Sequence, residues 1–162
     1  MSELELTRAG DDRRTYVLEG VGSLRLEGWS GRRAVIEAGG RRLEAARAGF
    51  WQRRIEATDS AGTVAATFAP RSVRRGGELD VGGRALALAP ASTFRERYVL
   101  VEGERELASF DARSWGKRTV TVTLAEPGAL EAWLVLFCAF VARSLADDAS
   151  SSAGGASAAA IG

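Results

Sequence analysis

The sequence predicts a mainly β protein: a closed antiparallel barrel of about twelve strands around one central, hydrophobic, C-terminal α-helix. Three observations lead there. Residues 15 to 124 divide into short segments of alternating or β-branched character separated by turn signals. Residues 129 to 146 form a helical stretch that is apolar on every side. The height of that stretch also matches the height of a barrel wall.

The strands follow in order. "LELT" opens the chain, and "TYVLE" is followed by a Gly-Val-Gly break and then "SLRLEGW". "RAVIEA", "GG" and "RRLEAARA" form a hairpin, because two adjacent glycines supply the positive φ values that a tight β-turn requires. "WQRRIEAT", the turn "DSAG" and "TVAATFA" come next, ending at Pro70. The pattern returns as "GELDV", "GG", "RALALA", "FRERYVLVE", "GE", "RELASF" and finally "RTVTVTL" before Pro127. So many short strands leave two hazardous edges in an open sheet, and closure removes them.

Pro127 and Gly128 break the last strand, and a core helix is expected over about 128–146. Trp133, Leu134, Val135, Leu136, Phe137, Phe140 and Val141 point in all directions about its axis, and only Glu131 and Arg143 interrupt it near its ends. Such a helix is enclosed by protein or by lipid. Its uncharged run, Ala132 to Ala142, spans ~16 Å, whereas a bilayer core needs ~20 residues and ~30 Å. A seven-residue strand tilted by ~40° gives a wall ~18 Å tall, so the helix fits as the plug of a barrel. One domain over 1–148 is expected, followed by a small-residue tail, "ASSSAGGASAAAIG" at 149–162, of disordered composition.

A self-comparison at an offset of 43 residues sets "GGRRL" at 39 on "GGRAL" at 82. Two such steps lay "GWSGRRAVIEA" over "RSVRRGGELDV" and "SWGKRTVTVTL". A structural repeat is one reading, and the general likeness of β-meanders is the other.

Composition narrows the function classes. The chain has 162 residues, with 22 Lys plus Arg against 21 Asp plus Glu, so its net charge points neither to nucleic acid nor to an acidic substrate. The distribution is uneven: 13 arginines face 6 acids between Arg13 and Arg75. With no histidine, the commonest general base and most zinc sites are absent. Cys138, the single cysteine, lies inside the apolar run as a core filler. "EGERE" lacks the ligand spacing of a calcium loop, and no glycine-rich segment opens a helix as phosphate-binding loops do. The N-terminus has no signal-peptide character. The expectation is a cytoplasmic, non-enzymatic monomer with no cofactor and no metal.

The strand pattern and "ALEAWLVLFCAFVARSLADD" together resemble the tubby C-terminal-like superfamily, with a size similar to its LURP-one-related and phospholipid-scramblase-like branch. The resemblance covers roughly residues 4 to 148 and rests on no diagnostic motif. It implies a helix threaded through the barrel. It also implies binding of phosphoinositide or other acidic membrane lipid by basic surface residues, or a scramblase-like role, although the calcium-binding segment of the scramblases has no counterpart here.

The candidate headgroup ligands are the arginine pairs Arg32 and Arg33, Arg41 and Arg42, Arg53 and Arg54, and Arg74 and Arg75, since guanidinium suits bidentate phosphate contact. The alternative is a solvated wall on which they pair with Glu27, Glu37, Glu44 and Glu56. Trp29, Trp51 and Trp115 are candidate membrane-interface aromatics, or else caps on the barrel ends. The expected partner is anionic lipid at the inner face of a membrane, or a protein of unknown kind. A tail anchor formed by the apolar helix and a PH-like or lipocalin-like small-ligand barrel are the competing readings.

Overall fold

Alternation decides which residues of each segment turn inward. In β2 (Thr15–Leu18) Tyr16 and Leu18 are buried while Val17 is exposed, and in β3 (Gly22–Glu27) Leu24 and Leu26 are buried while Arg25 is exposed. A period of two gives a strand one dry face and one wet face. In the computed structural model, which describes residues 2–28, 32–48, 54–71, 76–91, 97–112 and 120–161, with side chains up to Asp147, the same alternation recurs around a closed wall. Before and after those two come β1 (Ser2–Arg8), β4 (Arg33–Ala38), β5 (Arg41–Ala48), β6 (Arg54–Asp59) and β7 (Val64–Pro70). The second half adds β8 (Gly77–Val81), β9 (Arg84–Pro90), β10 (Arg97–Glu102), β11 (Arg105–Asp111) and β12 (Val120–Leu124).

Each strand pairs antiparallel with its sequence neighbours, and β1 pairs with β12 from Ser2↔Leu124 to Leu6↔Val120. The barrel therefore has no free edge among its strands. The hairpins form as the sequence predicts: Gly39 and Gly40 have φ of +58° and +75°, Gly82 and Gly83 of +58° and +90°. Both central residues of each turn are in the left-handed region, which matches the twist of the flanking strands.

The 43-residue offset is structural. Shifted by that amount, β4 to β7 fall on β8 to β11, and β8 falls on β12. The register irregularities coincide as well, between Ala57 and Thr58 and between Leu100 and Val101. Two four-stranded units, β4 to β7 and β8 to β11, thus correspond, and β12 opens a further repeat at the closure.

The helix α1 (Ala132–Ile161) fills the barrel. Every residue from Trp133 to Ala142 is buried, on all faces, in one cluster with the inward residues of the strands. It approaches the wall most closely along β3 and β4, where Ala34 and Ala38 face inward, whereas Phe68, Leu79, Leu86 and Leu88 fill the interior from β7 to β9. The helix begins at Ala132, later than the expected 128. Gly128 has φ +89° and the Ala129 amide donates to the Glu126 carbonyl at 3.1 Å, so a turn precedes the helix. The Glu131 carbonyl then accepts the first helical bonds, from Leu134 at 3.0 Å and Val135 at 3.2 Å. At the other end helical backbone runs on to Ile161, through the segment whose composition reads as disordered. An existing helix extends without a new nucleus, and alanine favours that extension.

Candidate functional site

An up-and-down barrel sorts its connections into two sets. Tight connections at 19–21, 39–40, 60–63, 82–83 and 103–104 lie at one end, the turn end, together with segment 125–131 leading into α1. The longer connections at 9–14, 28–32, 49–53, 71–76, 91–96 and 112–119 join the opposite strand ends, the loop end. The helix runs from the turn end to the loop end.

At the turn end every described arginine has an acidic partner. Arg41 Nη1 lies 3.6 Å from Glu131 Oε2, and its guanidinium sits over the Trp133 ring, 5.3 Å from the centroid. Trp133 Nε1 donates to the same Glu131 carboxylate. Arg42 pairs with Glu37 at 3.4 Å and Arg105 with Glu126 at 2.5 Å. Arg84 makes a forked contact with Glu102, at 2.5 and 3.1 Å, and this hydrogen bonding holds the Glu102 carboxyl below its ordinary range and raises Arg84. Glu3, Glu19, Asp59, Asp80, Glu104 and Glu106 add further negative charge. Asp59 and Asp80 anchor their turns by accepting backbone amides, from Ala61 and Thr63 and from Gly83, all at 2.9 Å.

The loop end is richer in arginine, and Asp11, Asp12, Glu27, Glu78 and Asp111 lie there as well. Arg8 ends β1, Arg13 and Arg14 follow it, and Arg32, Arg54, Arg71 and Arg97 stand at successive strand ends, all exposed. Arg33 lies 3.7 Å from Glu44, Arg71 3.9 Å from Glu78, and Arg97 donates to Ser109 Oγ at 3.3 Å. Arg13, Arg14, Arg32 and Arg54 have no ion pair among the described residues. Asp12 is held by its own turn: its carboxylate accepts from the Thr15 hydroxyl at 2.7 Å and the Arg14 amide at 2.9 Å, which together depress its pKa.

The structure accordingly divides the arginines that the sequence grouped. Arg32, Arg33 and Arg54 belong to the loop end, and Arg41 and Arg42 to the turn end, where they pair with Glu131 and Glu37. Arg53, Arg74, Arg75, Trp29, Trp51 and Trp115 lie outside the described residues. Sequence reasoning missed Arg13, Arg14, Arg71 and Arg97. The signal that finds them is the parity of the connections, since every second link between strands returns to the same end.

Among the described residues the interior is almost wholly apolar. Cys138 is buried, and desolvation pushes its thiol pKa up, so the reactive thiolate is suppressed. Arg143 lies 3.7 Å from Asp147 near the helix's exit, and burial lowers its pKa. Among the described residues no group of three or more metal-ligating side chains converges, and no helix is long and apolar enough to cross a membrane. No family model, curated protein or solved structure matches the chain.

Proposed function

We propose that this chain is a non-enzymatic binding module that holds acidic phospholipid headgroups with the loop end of its barrel, as a peripheral protein at a membrane surface. The observation that carries this reading is the segregation of charge along the barrel axis. The arginines of the turn end are matched by acids, whereas exposed arginines without an ion pair among the described residues collect at the loop end. Guanidinium is weakly hydrated and presents a planar fork of donors that fits phosphate oxygens. A near-neutral molecule with one arginine-rich face is drawn to an anionic surface without a large net charge. The barrel around a C-terminal helix also supports an affiliation with the tubby C-terminal-like superfamily, in which basic surface residues meet acidic lipid.

Vesicle flotation tests the reading. At ~0.15 M salt, where the screening length is ~8 Å, the protein should float with vesicles containing phosphatidylserine and stay down with pure phosphatidylcholine, and higher salt should release it. Failure to float with either kind overturns the proposal.

A further inference from the structure

The outer wall of the barrel is not uniform. On β4 and β5 its outward positions carry Arg33, Glu37, Arg42 and Glu44, which pair across the strands. On β9 to β12 the outward positions between the strand ends carry no charge: Ala87 and Ala89, Val99 and Val101, Ser109, and Thr121 and Thr123 stand opposite one another in register. Three strand gaps of ~4.8 Å and a wall ~18 Å tall make this a face of roughly 300–400 Å², the size at which an exposed uncharged patch is commonly an interaction site. Small and β-branched side chains on a sheet are what helices cover where the two pack as layers.

We propose that the C-terminal end of α1 from a second copy lies on this face, and that two copies exchange these ends reciprocally in an antiparallel dimer. α1 has 30 residues and is therefore ~45 Å long, more than twice the height of the wall. Ala146 is its last buried residue among those whose side chains are described, and Asp147 is exposed. The part beyond, from Asp148 to Ile161, is ~21 Å long, close to the height of a wall, and after Asp148 its sequence has no charge. Continuing along the axis, it leaves its own wall behind.

A two-fold axis perpendicular to the barrels closes the arrangement. A twelve-stranded barrel has a radius of ~12 Å, and a helix packs ~10 Å from a sheet, so the two barrel axes lie ~22 Å apart. With the barrels antiparallel and offset by about one wall height, each end runs down the other copy's face from the loop end to the turn end. The partner's Asp148 then enters beside the terminus of β10 that carries exposed Arg97. Parallel copies would instead leave one end and one face open, and chains would add without limit. Two contacts of this length bury roughly 1,000 Å² in all, which suits a reversible dimer rather than an obligate one.

Sedimentation velocity of the full chain across the micromolar range should show a 17.2 kDa monomer converting to a dimer as concentration rises. Val99→Lys and Thr123→Lys place an unpaired charge in the contact and should each weaken dimerisation about tenfold, whereas Ala46→Lys, outward on β5 across the barrel, should not. Truncation after Asp148 should leave a monomer at every concentration. Unchanged melting of the dilute variants shows that each is folded. Ala87→Cys combined with Ala153→Cys should form disulfides that join two chains, with buried Cys138 taking no part. The proposal is overturned by a full chain that stays monomeric, by dimers that persist undiminished in the lysine variants or after truncation, by open-ended larger species, or by a disulfide closed within one chain. None of these measurements involves lipid, so their outcome is separate from that of flotation.

Discussion

Arg41 shows how one residue can change role when its surroundings are known. Read in sequence it is half of a basic pair; in the fold it bridges a strand end to the start of the helix through Glu131 and Trp133. Trp133, the first aromatic residue of α1, is only 4% exposed, and the guanidinium lies over its ring. Because Arg41 and Glu131 are themselves partly exposed, the ion pair is modest in strength. We expect Arg41→Ala to destabilise the protein by about 0.5–2 kcal/mol, and its coupling to Glu131→Gln to be about 0.2–1 kcal/mol. Urea unfolding of the wild type, both single variants and the double variant measures this, and additive effects would show that Arg41 and Glu131 are not coupled. The pairs Arg33 with Glu44 and Arg42 with Glu37 were legible as cross-strand neighbours, since adjacent antiparallel strands bring such positions within reach. The pairing of residues 41 and 131 was not, because ninety residues of chain separate them.

The helix is the element on which the barrel's interior depends. Trp133 to Ala142 are buried on every side, so α1 has no face that water could replace without exposing the inward residues of the wall as well. Truncation after Pro127 should therefore leave a chain that does not fold. Truncation after Asp148 should leave the thermal midpoint within a few degrees of the full-length value, because Ala146 is the last buried residue of α1 among those whose side chains are described and Asp147 is exposed. Circular dichroism melts of the two fragments decide between this dependence and a dispensable helix, for which the shorter fragment would also melt cooperatively. The helix itself was visible in the sequence through its length and its lack of a polar face. Its starting residue was not, because Pro127, Gly128 and the Glu126 carbonyl make a turn whose geometry depends on where β12 ends.

At the scale of the molecule, closure determines both stability and polarity. β1 is the strand that seals the wall, pairing with β12 on one side and β2 on the other. Removing residues 1–8 should expose the edges of β2 and β12 and produce oligomers or aggregate, visible by size-exclusion chromatography with light scattering. A monomeric, cooperatively folding product would show that the seam is dispensable. Closure with antiparallel neighbours also sends alternate connections to opposite ends. That is how a chain of formal net charge +1 acquires one acidic end and one end richer in arginine.

The sequence by itself determined the strands, their tight turns and the buried fate of the helix. These follow from periodicity, paired glycines and residue-by-residue hydrophobicity, which act over a few neighbouring positions. Its repeat of 43 residues was also present there, although too few identities marked it until strand bounds and register irregularities coincided. Only the tertiary structure decided which arginines share an end, which are neutralised, and that β1 meets β12. Those outcomes depend on the parity of strands and on contacts between distant segments, and a charge placed on a strand has no end of the barrel to belong to until the wall has closed.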